Sequence, residues 1–307
     1  MLVGGCTSEP KPVYQDQPVP QSIVTEYDSS LEPSAAVLPL VPEAATTLTV
    51  TDFDHLRLVL GFASLTSRSS VADRDSFWRQ VPRTAALSQG VLRPFEQRLR
   101  SEFGFSQDDV AWEATYAGEA SGWVLAFQDK VPMQSVERAV AAGVGPLKDA
   151  IVDPDRKIVT SAELPTTDQS WGAVDGLLAL VGRQAVSTYV ERACLPFDTV
   201  FGAGMEAQLA KAPAAALRAI DELDSFAVAL GGELATVQLG PGRSDAFDRV
   251  RLADVMPRTD PEFGLVMTRG VADPSTGRLG YTLADPVAAA RLTRERTLPF
   301  AVCRGGF

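Results

Sequence analysis

The sequence contains no asparagine and a single histidine, His55. Without asparagine there is no N-glycosylation sequon. One histidine excludes a metal site built from several imidazoles, and it leaves a Ser-His-Asp triad only if His55 is the base. Nothing beside His55 in the chain supplies such partners, so it reads as a core or surface residue. Lysine is scarce beside arginine, and 28 basic against 39 acidic residues give a net charge of −11. That balance argues against nucleic acid, whose binding needs a basic face. It also argues against electrostatic docking on anionic lipid. Long apolar runs are missing: Leu177 to Val181 is far shorter than the ~20 residues of a membrane span.

Catalytic and cofactor motifs are missing as well. There is no Walker loop and no G-x-G-x-x-G, and no cofactor or metal is expected. Gly143-Val144-Gly145-Pro146 puts a proline where a phosphate loop needs an N–H. Ser121 lacks the flanking glycines of a nucleophile elbow. The S-x-x-K at Ser8 to Lys11 falls in a proline-rich stretch and carries no weight. Asp153-Pro154-Asp155 is too short for a calcium loop. Asp108-Asp109 and Asp221-Glu222 precede expected strands and read as solvated turn residues. A carboxylate-dependent hydrolase remains a minor reading, requiring two carboxylates within about 5–10 Å in a cleft.

What is present begins with Val3-Gly4-Gly5-Cys6: an aliphatic residue, two small residues, a cysteine. This resembles the lipobox of bacterial lipoproteins. The resemblance implies lipidation of the Cys6 thiol, cleavage before it, and a membrane anchor. Five residues are too few for the charged and apolar segments of an export signal, so the expected translation start lies upstream of Met1. From Thr7 to about Ala45, prolines alternate with Ser, Gln and acids without any apolar period. That composition predicts a disordered, extended tether.

Two cysteines remain, Cys194 and Cys303, and an oxidising compartment would pair them. Abundant arginine, alanine and valine suggest a GC-rich genome. Taken whole, the chain resembles uncharacterised actinobacterial cell-envelope lipoproteins. That places it on the outer face of the cell membrane, with a protein partner in the envelope.

The body reads as α+β in two lobes, 46–194 and 195–307, after the 1–45 leader and tether. Val110–Tyr116 and Trp123–Phe127 alternate as a strand pair, followed by a helix from Met133 and a strand at Lys157–Thr160. Phe95, Leu99 and Phe103 recur at helical spacing, and Trp171 to Glu191 looks largely helical. In the second lobe Glu206 to Leu223 reads as helix. Phe226–Leu230 and Leu234–Leu239 flank Gly231-Gly232 as a hairpin. Helices are expected over Asp245–Val255 and after Asp285-Pro286, and strands at Phe263–Thr268, Leu279–Leu283 and Leu298–Cys303. Each lobe thus runs strand, strand, helix, strand, which suggests a distant duplication. Trp112, Trp123 and Trp171 could line an apolar groove, although packing explains them better.

The function expected is that of a non-enzymatic, lipid-anchored accessory module. The alternative is a small-molecule or lipid-binding module using a cleft between lobes.

Overall fold

The computed structural model describes residues 23–202, 214–256 and 258–304. Cys6 and its lipobox, residues 7–22 of the tether, and the 206–213 part of the expected Glu206–Leu223 helix lie outside the described residues; Ala214–Ala219 is helical.

Helices pack on one antiparallel sheet of ten strands, so the chain is mixed α+β. The strands are β1 (Ala45–Asp52), β2 (Val110–Gly118), β3 (Gly122–Phe127), β4 (Ile151–Asp153), β5 (Ile158–Thr160), β6 (Ser187–Glu191), β7 (Phe226–Leu230), β8 (Leu234–Gln238), β9 (Met267–Asp273) and β10 (Arg278–Leu283). Their spatial order is β4-β5-β3-β2-β1-β6-β7-β8-β10-β9. Reading outward from the centre, β1-β2-β3-β5-β4 is mirrored by β6-β7-β8-β10-β9. The same element order recurs in each half: a strand, helices, a hairpin, a helix, a hairpin.

The expected boundary at 194/195 does not divide this sheet. β6 pairs with β1 on one side and β7 on the other, Thr49 facing Tyr189 and Tyr189 facing Val228. On the helical face, Thr84 to Leu92 fills the junction between the halves. Leu87 N–H donates to Ser187 Oγ (3.0 Å) and Ser88 N–H to Thr51 Oγ1 (3.1 Å).

Alternation along the central strands separates the two faces. Leu48 and Val50 of β1, Ala114 and Tyr116 of β2 and Val190 of β6 point to one face. Leu125 of β3 and Val159 of β5 point to the helical face, beneath α2 (Phe53–Val59), α3 (Val71–Gln80) and α4 (Met133–Ala141). In the second half Phe226, Val228, Leu279 and Tyr281 pack under α5 (Ala246–Val255), α6 (Phe263–Val266) and α7 (Pro286–Arg294). α7 starts where its sequence says: Pro286 occupies the first turn and Asp285 caps it, accepting from Ala288 N–H at 2.9 Å.

The expectation of a disordered tether through Ala45 needs correction over its described part. A short helix, α1, spans Pro33–Ala36, with Ala35 and Ala36 buried, and Val37, Leu38, Leu40 and Val41 pack in the core against the strands. The small and aliphatic pairs between the prolines supply the missing apolar surface. The prolines fix the backbone of the helical and 3-10 turns rather than unfolding it.

Three further expectations change. Trp171 to Glu191 is not a helix but two 3-10 turns and then central strand β6. Phe263–Val266 is a helical turn, and the strand starts only at Met267. Leu298–Cys303 is a 3-10 turn with a single bridge, Leu195 to Val302. The cysteines beside that bridge, Cys194 and Cys303, are disulfide-bonded, with Cα atoms 4.8 Å apart.

Candidate functional site

One end of β1, β2 and β3 forms the floor of a cleft of about 1540 Å³. Asp52, Trp112 and Ala126 are direct cross-strand partners there, on the face opposite the helices. Directly opposed residues in such a ladder hold their Cβ atoms roughly 5 Å apart, and Asp52 and Trp112 both line the cleft. One wall is the segment Ile23 to Pro33, folded back over the sheet. The other is made by the turns at Gln128-Asp129 and Asp155-Arg156-Lys157.

The folded-back wall is anchored by Val24 N–H donating to Gly172 O at 2.9 Å. Tyr27 then meets Trp112, ring centroids 6.4 Å apart and planes at 45°. Gly172 makes this approach possible: a Cβ there would stand 2.0 Å from Val24 O and 3.2 Å from Pro39 Cα. Gly172→Ala should therefore push the wall away and destabilise the protein by about 1–3 kcal/mol. Hydrogen exchange at the Val24 amide measures this directly; unchanged protection would show that the anchor is made elsewhere.

Asp52 has two jobs. Its Oδ1 accepts from His55 N–H at 2.8 Å, capping α2. It is also half-buried, and the loss of solvation pushes its carboxyl up to about 6. The His55 N–H bond works the other way; the charges of Asp54 and Glu32 add to the rise, and Arg57 offsets part of it. The consequence for stability follows from the sign of the shift. The folded state binds the proton more tightly, so this group favours folding most below about pH 4, and that contribution is lost as pH rises through about 6. Asp52→Asn retains a capping oxygen and removes the charge. It is expected to raise stability at pH 7 by about 1–2 kcal/mol and to flatten the pH 4–6 slope. Urea unfolding across that range decides it; an unchanged slope would assign the titration to another group.

Asp54 is taken up by fully buried Arg57, at 2.5 Å, and by Gln128 Nε2 at 2.9 Å. His55 lies in the first turn of α2 and lines the cleft, and its Nδ1 is buried without a partner among the described residues. Among the described residues no serine or cysteine hydroxyl or thiol is bonded to it. Among the described residues no group of three or more His, Cys, Asp and Glu could hold a metal ion.

The three tryptophans do not share a groove. Trp112 and Trp171 lie in the same core on the cleft side, Trp171 fully buried with its Nε1 on Ala45 O at 3.1 Å. Trp123 packs on the opposite, helical face. Asp108 and Asp109 are buried, not solvated. Asp108 accepts from Trp78 Nε1 (2.7 Å) and Ser106 Oγ (2.8 Å), while Asp109 accepts from the Ser67 and Ser106 amides. These bonds hold the turn entering β2. Asp221 and Glu222 are exposed, and their carbonyls accept from Arg249 and Arg243. Asp153 accepts from Arg156 N–H, and Asp155 is at the cleft rim.

Two buried carboxylates at the junction of the halves escaped the sequence reading. Glu113 accepts from Ser88 Oγ, Val91 N–H and Gln107 Nε2; Glu191 from Tyr189 Oη and Arg296 Nη2. Burial raises both carboxyls, and those bonds offset only part of the rise. No local signal could have flagged them: β6 is buried throughout and lacks alternation, and the alternation of β2 puts Glu113 on the side away from Trp112, Ala114 and Tyr116. They face Thr51 and Thr47 of β1, which separates their backbones by roughly 16 Å from strand rise and spacing. With their oxygens committed to different partners, they do not form a catalytic pair.

No family model, curated protein or solved structure matches this chain.

Proposed function

We propose that this chain is a lipid-tethered accessory protein of the cell envelope, acting by binding rather than by catalysis. The observation that carries the reading is the Cys194–Cys303 bridge. Such a bond persists in an oxidising compartment and is rare in a reducing cytosol. Together with the lipobox resemblance at Cys6 it argues for the outer face of the membrane, in an actinobacterial envelope. No helix among the described residues is long and apolar enough to cross a bilayer, so the lipid at Cys6 is the anchor this reading needs. The two lobes enter it as halves of one body, and their repeated element order supports a duplication.

The cleft over Asp52 and Trp112 favours the second reading, a small-molecule binding module. Its location differs from the one expected: it lies against one half and its folded-back segment, not between lobes. A hydrolase finds no support in the separation of Glu113 from Glu191.

The test is the intact mass of the protein extracted from membranes of its host. The expected mass starts at Cys6, carries a diacylglycerol and is two hydrogens short of the dithiol. An unlipidated chain with free thiols at Cys194 and Cys303 would overturn the envelope assignment.

A further inference from the structure

The ten-stranded sheet ends in two unlike edges. β4 is three residues long, and Asp153 in it is tied to Arg156 in the turn that follows. β9 at the other end runs for seven residues, and among the described residues no strand pairs with its outer edge. Such an edge presents a row of unpaired N–H and C=O groups, and proteins ordinarily keep it short, charged or covered. The middle of β9 is apolar instead. Val271 is 66% exposed on the face away from the helices, beside Gly280 of β10, and Leu265, which leads into the strand, is 69% exposed. Beneath the strand, Val250 of α5 lies against Gly270: a Cβ on Gly270 would stand 2.7 Å from Val250 Cγ1. Phe247, one turn earlier on the same side of α5, is 52% exposed. Exposed apolar side chains thus flank the free edge on both faces of the sheet.

The second observation is the order of charges. Two copies of a chain carrying −11 repel at long range, but this edge is locally neutral. β9 holds one arginine and one aspartate, and the stripe of α5 that carries Phe247 and Val250 continues to exposed Arg251 and Asp254. About Val271 the strand reads Arg269-Gly270-Val271-Ala272-Asp273. An antiparallel copy centred on Val271 sets Arg269 opposite Asp273 on both sides of the axis. Gly270 then faces Ala272, and neither is large enough to hold the backbones apart. Hydrogen bonds from Ser275 and Thr276 hold the Asp273 carboxyl below its ordinary value, so it is anionic, and its ion-pair partner Arg278 stands 3.9 Å away. Arg269 has no ion-pair partner among the described residues. It belongs to a bulge, two residues set opposite Tyr281, and has φ +54°. The bulge confines regular pairing to the residues next to Val271.

We propose that β9 pairs antiparallel with β9 of a second copy, with Val271 on the two-fold axis, giving a symmetric dimer with one continuous sheet. Arg269 and Asp273 then form two equivalent cross-strand pairs. Beneath the joined strands the α5 stripes of the two copies meet, apolar at Phe247 and Val250 and of opposite sign at Arg251 and Asp254. The contact is isologous: the same patch serves both copies, and the assembly closes at two. A second copy is the occupant because the edge complements itself, arginine to aspartate about one valine. A strand of any other protein would need the same order of charges. The bulge shortens the ladder, so the dimer is small in area and reversible, with a Kd on the order of 10 μM.

Sedimentation velocity of the full chain across a concentration range of about 1 to 200 μM tests this. Monomer passing to dimer as concentration rises is expected, and nothing larger. Val271→Lys sets two ammonium groups against each other on the axis and should weaken the dimer at least about tenfold. Arg269→Asp suits the left-handed backbone of that position, makes both charge pairs repulsive, and should weaken it severalfold. Val71→Lys, at an exposed position of the first half, should leave it unchanged. Thermal melts establish that each variant is folded. Cross-linking reads the register: in a Cys6→Ser background, Val271→Cys should oxidise to a covalent dimer, because Cβ atoms facing each other across the axis lie roughly 5 Å apart. Val71→Cys should not. A monomer at every concentration overturns the proposal, as does a dimer undiminished in folded Val271→Lys, or association that grows beyond two. None of these results bears on the lipid anchor, which the membrane-extract mass decides separately.

Discussion

Replacing both bridge cysteines, Cys194→Ser with Cys303→Ser, is expected to destabilise the protein by about 4–5 kcal/mol. The two residues are 109 positions apart, and closing a loop of that order removes this much chain entropy from the unfolded state. In the folded state the bridge has little else to do. The segment after α7 is already tied back by Leu195 N–H to Ala301 O and Cys303 N–H to Leu195 O, at 2.8 and 2.9 Å. The double variant should therefore keep the native fold and lose stability alone. Guanidinium unfolding of the wild type with and without reductant, beside the double variant, measures it. A loss under about 1 kcal/mol would show that the unfolded chain is already restrained, and that the entropic account does not hold here.

Arg249→Ala is the second large effect, expected at about 3–5 kcal/mol. The guanidinium is fully buried beneath α5. Nε binds Asp245 Oδ2 at 2.7 Å, Nη1 binds the Phe300 and Val302 carbonyls at 2.7 and 3.2 Å, and Nη2 binds the Asp221 carbonyl at 2.6 Å. One side chain thus joins the helix, the loop before β7 and the segment that carries Cys303. Burial alone would raise the Asp245 carboxyl, but the hydrogen bonds from Arg243 and the charge of Arg249 outweigh it and hold it below its ordinary value. Truncation leaves a buried carboxylate half-paired and the Phe300 and Val302 carbonyls without a donor. Arg249→Met keeps most of the volume and should fail almost as badly, which separates lost hydrogen bonds from lost packing. Arg249 and the disulfide restrain the same stretch, Phe300 to Cys303. Their removal together should cost less than the sum of the two. Additive losses would mean that they stabilise different parts of the molecule.

The folded-back segment shows how far composition can mislead. Its prolines and polar residues match those of linkers, and no period of 2 or 3.6 runs through Ser34 to Val41. Nevertheless Val37 and Leu38 are as buried as any residue in the protein. Burial there follows from the neighbouring surface, the face carrying Leu48, Val50 and Tyr116, which a one-dimensional pattern does not display. The same reason accounts for β6. Ser187-Thr188-Tyr189-Val190-Glu191 is buried on both faces at the centre of the sheet, so it lacks the alternation of a half-exposed strand. Glu191 within it is tolerated because Tyr189, two residues along the same strand, and Arg296, from the turn after α7, both donate to it.

Local rules, by contrast, acted where the information was local. The hairpin at Val110–Phe127, the hairpin around Gly231-Gly232, the helix over Ala246–Val255 and the Asp285-Pro286 helix start were all legible, because alternation, turn residues and caps act within a few positions. The pairing of Cys194 with Cys303 was legible once the lipobox resemblance set Cys6 aside and left two cysteines. Tertiary structure decided the rest. It joined the halves through β1 and β6, and the register of β2 against β3 put Trp112 and Trp123 on opposite faces, Trp112 opposite Ala126 and Trp123 opposite Thr115. It also brought Asp52, Tyr27 and Trp112 together across 85 positions of chain. Asp52 and Trp112 meet through strand register and Tyr27 through the anchor at Gly172, and both depend on long-range backbone hydrogen bonds that no window of sequence contains.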